Sequence, residues 1–417
     1  MNVVILSTYQ QFGGAAVATG RLHRALQKHG VQTTLLVGTS ARQERHQPAP
    51  DVTFLANNFL AEQTAFGRFV AERLYFLPFE RDPSVRFHFS PAVFGTGLNF
   101  HPAIQQADVI HLHWTSFGFL SLSGLRSLFD LGKPVVWTLH DQWAFTGGCH
   151  YTGGCDHFLT HCHHCPYLKK PGDNDLSARR FDRKQWAYAN APLHLVHPSR
   201  WLADQAERST LLGGFPHQVI HNTLDQQVFT PHATPDTTVP RLLFGSANVT
   251  DSRKGFSFFA EALTLLHQQF PDLKPEILVF GKGRSYLFNE LPYPIRQLGI
   301  LTHEDDIVAA YNAATAMVVP SLEDNLPNTI VEALSCGTPV VGFRTGGIPE
   351  MIDHQQNGYL AAVGSAQELA DGLAFILTHP EPGLLRQQAR RSAEGRFSEV
   401  HIARQHIELY QSLLSEN

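Results

Sequence analysis

The chain has 417 residues, of which 43% are hydrophobic, and its 32 lysines and arginines against 37 aspartates and glutamates give a formal net charge of −5. This composition excludes an intrinsically disordered chain, because it supplies enough apolar side chains for the cores of about two or three domains. It also argues against a nucleic-acid-binding protein, which would need a basic face to meet the phosphates.

The first predicted elements alternate between strand and helix. Asn2–Ser7 and Val31–Val37 are short apolar runs typical of buried strands, and an amphipathic helix spans residues 15–29 between them. The first strand starts beside the N-terminus without a basic segment, and no stretch reaches the length of a membrane span, so we expect a cytoplasmic protein. The turn at Gly13 and Gly14 lets a ligand approach the backbone, although it lacks the G-x-G-x-x-G spacing of a dinucleotide fold.

Residues 50–100 are irregular and rich in Phe and Arg, as in FGRFVAERLYFLPFERDPSVRFHF. We interpret this stretch as a helical segment with exposed aromatic and cationic groups, which would suit an amphiphilic acceptor or peripheral contact with a membrane surface. The alternative is that these Phe side chains simply belong to the core.

Two further predicted strands, residues 109–113 and 134–139, carry polar side chains at or near their ends. These side chains are His111, His113, His140 and Asp141. In a parallel sheet the carboxyl ends of the strands form the functional edge, so His140 and Asp141 are candidates for ligand contact. A packing role is the alternative for each histidine.

A cluster of cysteines and histidines, CHYTGGCDHFLTHCHHC, occupies residues 149–165. Cys149, Cys155, Cys162 and Cys165 have the spacing C-x5-C-x6-C-x2-C, and four thiolates can close a tetrahedral zinc site of which C-x2-C is a common half. Because four sulfur ligands leave no open position, such a zinc ion would be structural and would shape the loop after Asp141. Disulfides and free thiols are the alternatives.

The second half repeats the alternation. Strands are predicted at residues 193–198 and 219–222, with a helix opening at Ser199, and the aperiodic Thr230–Pro240 is the candidate linker. The later strands and helices are expected at residues 242–247, 256–269, 276–280, 297–301 and 305–314, with a final amphipathic helix at 397–414. Two such series predict two doubly wound α/β domains that face each other across a ligand-binding cleft.

The stretch Ala316–Glu350 is the most informative one. It reads as a strand, a polar loop, a helix that begins near Pro327 or Asn328 and ends at Cys336-Gly337, a second strand and a glycine pair. The loop and the helix N-terminus should face the crevice at the strand ends, where backbone N–H groups and the helix dipole favour an anion.

Charged side chains in this stretch and in the earlier DSRKG loop indicate the class of ligand. The carboxylates of Asp324 and Glu332 can accept hydrogen bonds from the hydroxyls of a sugar or a ribose, and Arg253 and Lys254 can supply cations for a diphosphate. The alternatives are a helix cap for Asp324, a solvated helix face for Glu332 and solvated surface charges for the cations.

The Gly13-Gly14 loop, DSRKG, VFGKG, the Tyr311 helix and PSLEDNLPNTIVEALSCGTPVVGFRTGGIPE together resemble retaining glycosyltransferases of family 4, which have the GT-B fold. The resemblance covers most of the chain except residues 40–105. It implies an acceptor-side Rossmann-like domain at 1–230, a nucleotide-sugar-binding domain at 240–396, and a C-terminal helix at 397–417 that packs back on the first domain. The Cys-rich insert resembles that of bacterial members involved in surface polysaccharide synthesis.

The resemblance also assigns roles to residues. It implies that Asp324 and Glu332, in the positions of an E-x7-E motif, contact the donor sugar and the nucleotide ribose, and that His140 lies near the donor sugar. Asp324 departs from the pattern by being one methylene shorter than the usual Glu. The donor-binding residues expected in addition are Gly13, Gly14, Arg253, Lys254, Asn325, Leu326, Pro327, Asn328 and Thr329.

From these features we expect a cytoplasmic enzyme, at the inner face of the membrane if it contacts the membrane, that moves a hexose, with retention, from a UDP- or GDP-linked donor. The acceptor would be a saccharide or lipid-linked saccharide in polysaccharide biosynthesis, and no catalytic metal is expected. A nucleotide-sugar epimerase or a phosphorylase of the same fold, with its own base or a pyridoxal phosphate lysine, is one alternative. A non-catalytic sugar-binding protein of this fold is another.

Overall fold

The computed structural model describes residues 1–40, 51–232, 239–283, 288 and 290–415. The chain forms two compact units, one of residues 1–220 together with 402–417 and one of residues 221–401. The boundary between them lies upstream of the candidate linker Thr230–Pro240, whose central residues 233–238 lie outside the described residues. Arg284, which follows the VFGKG motif, also lies outside the described residues.

The first unit is built on a sheet of seven parallel strands in the order β3-β2-β1-β4-β5-β6-β7. The strands are β1 (Asn2–Ser7), β2 (Gln32–Val37), β3 (Val52–Phe54), β4 (Val109–Leu112), β5 (Val135–Thr138), β6 (Leu193–His197) and β7 (His217–Val219). Its helices are α1 (Gly14–Lys28), α2 (Phe59–Phe76), α3 (Pro102–Gln106), α4 (Leu122–Phe129), α5 (Leu176–Tyr188) and α6 (Arg200–Arg208). The central strands β4 and β5 are buried along their whole length, as expected for a parallel sheet covered on both faces.

The second unit has a sheet of six parallel strands in the order β10-β9-β8-β11-β12-β13. The strands are β8 (Arg241–Asn248), β9 (Glu276–Lys282), β10 (Ile295–Gly299), β11 (Ala316–Val319), β12 (Val340–Phe343) and β13 (Gly358–Ala361). Its helices are α7 (Phe256–Gln269), α8 (Glu304–Ala313), α9 (Asn328–Ser335), α10 (Ala366–Leu377) and α11 (Pro382–Arg396). The predicted class of two doubly wound α/β domains is confirmed.

The last helix, α12 (Glu399–Ser415), returns to the first unit. Ile402 and Tyr410 pack with Val3 and Ile5 of β1 in one buried cluster. The final helix predicted at residues 397–414 is confirmed within two residues, since α12 spans Glu399–Ser415. Phe397, between α11 and α12, is buried, and its carbonyl accepts a hydrogen bond from the N–H of Leu224 at 3.2 Å.

Two other expectations are corrected in part. The short strand predicted at residues 219–222 lies at His217–Val219, because β7 pairs with β6 in a register that places His217 opposite Leu195. Each interpretation of the Phe-rich stretch holds for part of it. Phe76 and Phe89 stack in the core, whereas Phe59 and Phe66 are exposed on α2. Within the described ranges, none of the helices combines the length and the apolar composition that crossing a membrane requires.

Each sheet reverses its strand order at one point, between β1 and β4 in the first unit and between β8 and β11 in the second. Ligands of open parallel sheets bind beyond the carboxyl ends of the strands at such points. The loops after these four strands are therefore the places to look for functional groups.

Candidate active site

In the second unit the loop after β8 carries two cations to the point where the strand order reverses. Arg253 and Lys254 lie in a short 3-10 turn, Ser252–Lys254, whose first turn is capped by the Asp251 carboxylate accepting from the Arg253 N–H at 3.0 Å. The next residue, Gly255, has φ 70°, and a Cβ atom there would lie 1.8 Å from the carbonyl oxygen of Pro320. Only glycine therefore lets this loop close against the end of β11.

The Asp324 carboxylate, in the loop after β11, receives these cations. Its Oδ2 lies 2.5 Å from the Lys254 Nζ and 3.5 Å from the Arg253 Nη1, and it accepts a hydrogen bond from the Ser321 hydroxyl at 3.2 Å. Arg253 also donates to the carbonyl of Glu323 at 2.8 Å. The Arg253 Nη2 also lies 3.5 Å from the Asp251 carboxylate, so two cations and two carboxylates meet at this loop.

The electrostatics of this group follow from its burial. Burial raises the pKa of Asp324, but Lys254 and Arg253 outweigh this effect and hold the pKa below its ordinary value. Burial lowers the pKa of Lys254, against the opposing effect of Asp324. Asp324 is thus an ionised carboxylate at neutral pH, held by a cation that is largely withdrawn from water.

The glycine pair that ends the Ala316–Glu350 stretch supports the same loop. Gly346 has φ 56°, and a Cβ atom there would lie 1.7 Å from the carbonyl oxygen of Asp324. The Gly347 N–H donates to that oxygen at 3.1 Å. The pair is therefore what allows the loop after β12 to pack directly against the Asp324 backbone.

The helix after this loop, α9, holds the second predicted carboxylate. Glu332 is buried and accepts a hydrogen bond from the Tyr311 hydroxyl at 2.7 Å, so it is not on a solvated face. Asp324 does not cap α9, whose N-cap residue is Pro327 without a side-chain hydrogen bond. The two carboxylates are thus held by different side chains, Asp324 in the loop before α9 and Glu332 within α9.

The residues between them line this helix N-terminus. Asn325, Leu326 and Pro327 are buried, while Asn328 and Thr329 are partly exposed. The Asn328 side chain accepts a hydrogen bond from the Asn222 amide at 3.1 Å. The predicted donor-binding residues of the second unit therefore lie in two loops, Arg253 and Lys254 in the loop after β8 and Asn325 to Thr329 at the start of α9.

In the first unit, histidines follow the two strands β4 and β5. His113 and His140 are joined by a hydrogen bond of 2.9 Å between Nδ1 and Nε2. His111, whose ring centroid lies 4.3 Å from that of His113, is held by the Tyr410 hydroxyl at 2.7 Å and the Thr138 hydroxyl at 2.8 Å. Burial lowers the pKa of His140 to about 4 and those of His111 and His113 well below 6.5, so all three rings are neutral at pH 7.

The Asp141 carboxylate forms hydrogen bonds with residues of the surrounding loops. Its carboxylate accepts from the Trp114 indole at 2.8 Å and from the Trp143 N–H at 2.9 Å, and it pairs with the His150 Nδ1 at 2.7 Å. Burial raises the pKa of Asp141, but His150 and these donors hold it below its ordinary value. A small pocket is lined by residues that include Trp114, His140 and Asp141.

The predicted Gly13-Gly14 turn lies at the start of α1. Gly13 has φ 89° and is the N-cap residue, and Gly14 is the first and exposed residue of the helix. In the preceding loop Tyr9 stacks on Trp114, with ring centroids 5.8 Å apart. This places an aromatic pair where the first sheet reverses its strand order.

Four contributions were not evident from the sequence. Tyr311 and Ser321 bind the two carboxylates, His113 holds His140, and Trp114 holds Asp141. Ser321 is three residues before Asp324, a local signal, whereas Tyr311 precedes Glu332 by 21 residues and gives no signal in the spacing.

The cysteines of residues 149–165 are all free thiols. Cys149, Cys162 and Cys165 are buried and Cys155 is partly exposed. Burial raises the pKa of Cys162 and of Cys165 to about 12. Within the described residues, the one group of three or more metal-ligating side chains with ligand atoms within 4.8 Å of each other is His163, His164 and Asp173.

Comparison with known proteins identifies relatives of both units. A family model described as "Glycosyltransferase Family 4" matches residues 12–228, and one described as "Glycosyl transferases group 1" matches residues 240–379. The putative colanic acid biosynthesis glycosyl transferase WcaC of Escherichia coli K12 is 24% identical over 376 residues, which cover 84% of this chain and 85% of that protein. A D-inositol 3-phosphate glycosyltransferase of Corynebacterium urealyticum is 26% identical over 325 residues, covering 70% of this chain and 72% of that protein.

Solved structures share the fold over the full length. Sucrose-phosphate synthase from Thermosynechococcus elongatus superposes with a TM-score of 0.68 at 17% identity and full coverage of both chains. HepE of Anabaena, in complex with UDP-glucose, superposes with a TM-score of 0.62 at 17% identity, covering 99% of this chain and 100% of that one. The predicted GT-B fold class is thereby confirmed.

Proposed function

The chain belongs to the family described as Glycosyltransferase Family 4, whose model matches more than half of it, and on this premise we propose that it is a retaining hexosyltransferase using a nucleotide diphosphate sugar. The observation that carries the proposal is the arrangement of Arg253 and Lys254 on Asp324, where the strand order of the second sheet reverses. A diphosphate would find there the donors of Arg253 and Lys254 and the N-terminus of α9.

The diphosphate is the leaving group of the proposed reaction. As the bond between the anomeric carbon and the phosphate oxygen breaks, negative charge grows on that oxygen, and fixed cations that face it lower the barrier most. Lys254 and Arg253 supply this charge, Lys254 as a point charge and Arg253 with a planar fork of donors. Ionic contact with Asp324 orients both cations before the donor arrives.

The sugar and the ribose are assigned to the two carboxylates. Asp324 would accept a hydrogen bond from a sugar hydroxyl, and Glu332, fixed by the Tyr311 hydroxyl, would accept from the ribose. The side chain of Asp324 is a methylene shorter than Glu, so it reaches less far from the backbone that Gly346 and Gly347 support. This difference would favour a donor sugar whose hydroxyl lies close to the loop.

Retention would follow a front-face route, in which the leaving phosphate oxygen takes the proton of the acceptor hydroxyl as that hydroxyl attacks the same face. His140 would contribute a neutral imidazole to this step, because burial keeps its pKa far below 7. A neutral ring can accept or donate a hydrogen bond without adding a positive charge beside the oxocarbenium-like centre.

For the acceptor we propose a saccharide or lipid-linked saccharide of a bacterial surface polysaccharide. The similarity to WcaC over 84% of the chain supports the polysaccharide role. The exposed apolar side chains Phe59, Leu60, Phe66 and Leu74 of α2 support an amphiphilic acceptor.

A donor screen tests the proposal. The full chain is incubated with UDP- and GDP-linked hexoses and a panel of saccharide acceptors, while release of nucleoside diphosphate is measured and the product anomer is assigned by NMR. We expect release from one base class, coupled to a product with the anomeric configuration of the donor. An inverted product would refute retention, and formation of an epimeric nucleotide sugar without acceptor would refute transfer as the activity.

A further inference from the structure

The chain between β5 and α5 contains the cysteine-rich stretch for which a structural zinc ion was predicted. No three of the sulfur atoms of Cys149, Cys155, Cys162 and Cys165 lie within 4.8 Å of one another in the part of the chain that the structure describes. Four thiolates bound to one zinc ion at about 2.3 Å would all be about 3.8 Å apart. The predicted four-thiolate site therefore does not fit this structure, and a metal ion in this region needs other ligands.

Three other side chains of the same region do come together. One ring nitrogen of His163, one of His164 and a carboxylate oxygen of Asp173 all lie within 4.8 Å of one another. The His164 Nε2 and the Asp173 Oδ1 are 2.8 Å apart. Two ligand atoms of a tetrahedral zinc ion are about 3.3 Å apart, since each lies at about 2.0–2.1 Å from the metal. The spacing of this pair is therefore close to that of two zinc ligands.

Backbone hydrogen bonds hold the two ligand-bearing segments beside each other. The His164 N–H donates to the Gly172 carbonyl at 3.1 Å. The Asp175 carboxylate accepts from the Cys165 N–H at 2.9 Å and from the Gly172 N–H at 3.4 Å, so it joins the same two segments a second time. These contacts do not use the side chains of the three candidate ligands. The backbone around the site is thus organised before any ion binds.

The His163 ring has a nitrogen that lacks a partner. Its Nδ1 is withdrawn from solvent and forms no hydrogen bond within the described residues. The ring packs against neighbouring imidazoles, with its centroid 4.4 Å from that of His157 and 5.2 Å from that of His164. A buried polar atom without a partner calls for an explanation, and an ion is one of the few that apply. This observation is independent of the spacing of the three ligands.

We propose that His163, His164 and Asp173 bind one zinc ion, with water completing its coordination. Two imidazoles and one carboxylate suit zinc and the neighbouring transition metals, whereas Ca²⁺ and Mg²⁺ prefer ligand sets made of oxygen. The ion takes the place of the hydrogen atom between His164 and Asp173. That proton moves to Nδ1 if the His164 ring is neutral, and it passes to solvent if the ring is charged.

The exposure of two of the ligands agrees with this assignment. The side chains of His164 and Asp173 are 50% and 96% exposed, so they can turn toward an ion at little cost in packing. The bound ion would close residues 163–173 into a loop that ends directly before α5. Asp175, the N-cap residue of α5, lies two residues beyond the last ligand. Zinc would therefore stabilise the entry to this helix, and the inference does not depend on the proposed transfer activity.

The test uses the full chain, kept reduced and stripped of metal by a chelator, with zinc chloride as the probe. We expect calorimetry to show about one zinc ion bound per chain, and X-ray absorption to show a nitrogen and oxygen shell at about 2.0–2.2 Å. Asp173→Asn changes an exposed side chain and should leave the fold intact. It should weaken the Kd for zinc by at least about tenfold, the smallest loss typical even for a residue that only supports a metal ligand.

Asp182→Asn is the matched control. Asp182 pairs with His161 at 2.8 Å on an exposed surface, but no third metal-ligating group of the described residues joins that pair. This variant should keep the wild-type Kd. His163→Gln, at the half-buried ligand, should weaken binding as Asp173→Asn does, and if it fails to fold, the comparison of the two aspartate variants still decides.

Three results would overturn the inference. The first is a wild-type chain that binds no zinc in calorimetry and retains none in equilibrium dialysis. The second is a sulfur shell at about 2.3 Å, which would assign the ion to the cysteines. The third is the same Kd in Asp173→Asn as in Asp182→Asn, which would mean that the ion binds adventitiously to surface side chains.

Discussion

Replacing Lys254 with methionine tests the cation pair most directly. The variant keeps a long side chain of similar volume but removes the ammonium that lies 2.5 Å from the Asp324 carboxylate. Arg253 stays 3.5 Å from the same oxygen, so the carboxylate is not left without a cation. The change therefore isolates one charge in a site whose backbone is held by Gly255 and Gly346.

The structure sets the expected magnitudes. Breaking a fully buried ion pair costs about 3–5 kcal/mol, and because the Lys254 side chain is 24% exposed and Arg253 remains, we expect a loss of about 2–3 kcal/mol in unfolding free energy. Asp324 has a depressed pKa in the folded state, so its pairing stabilises the protein above the unfolded pKa of about 3.9 and is lost as the pH falls through the folded value. The deficit of the variant should thus be largest at neutral pH and shrink in acid.

Loss of the same charge should affect donor binding and turnover. One charge-assisted hydrogen bond to phosphate is worth about 1.5–3 kcal/mol, which is about a ten- to hundredfold weaker Kd for the nucleoside diphosphate by calorimetry. The kcat for transfer should fall further, by about 10²–10³-fold, because charge grows on the leaving group in the transition state. Lys274→Met, at an exposed lysine of the same unit, is the matched control and should change neither value. Unchanged kcat and Kd in Lys254→Met would refute the role of Lys254.

Three more predictions follow from other contacts. Tyr311→Phe removes the 2.7 Å hydrogen bond to Glu332 and should weaken nucleoside diphosphate binding about tenfold in calorimetry. A hexose phosphate, which lacks the ribose, should be affected less, and equal losses for both ligands would contradict a ribose contact. Gly346→Ala would place a Cβ atom 1.7 Å from the Asp324 carbonyl oxygen, so it should lower the unfolding free energy by more than about 1 kcal/mol and abolish donor binding. Gly395→Ala is the control, because it has open space around it, and it should be neutral or stabilising by up to about 1 kcal/mol. Burial lowers the pKa of His406 to about 4, so as the pH falls below 6.5 the unfolded chain binds a proton at this residue before the folded chain does. This group alone should lower the unfolding free energy by about 2 kcal/mol between pH 7.5 and 5, measured by urea titration. A wild-type stability curve parallel to that of His406→Gln would show that the buried ring does not resist protonation.

Much of the fold could be predicted from local patterns. β1 and α7 were predicted at their observed bounds, and α9 within about one residue, because apolar periodicity and the flanking glycines and prolines act on neighbouring residues. The errors lie where a distant contact overrides the pattern. The strand predicted at residues 219–222 lies at His217–Val219, because its register is set by pairing with the distant strand β6.

The candidate site shows the same division. The residue types at the helix N-terminus, with Asp324, Glu332 and the DSRKG loop, were evident from sequence and resemblance, and so was their suitability for a diphosphate and a sugar. The alternatives of a helix cap and a solvated face remained open at that stage. The structure excludes both alternatives, because the two carboxylates are buried and bind side chains that are distant in sequence. Lys254 is 70 residues from Asp324, and Tyr311 is 21 residues from Glu332.

The sequence by itself therefore determined which elements form and which chemical groups stand at their ends, because both depend on short-range spacing. Only the tertiary structure decided which of these groups meet. The order of strands in a sheet depends on how whole elements pack, and it is the adjacency of β8 and β11 that brings the cations onto Asp324, and of β4 and β5 that joins His113 to His140.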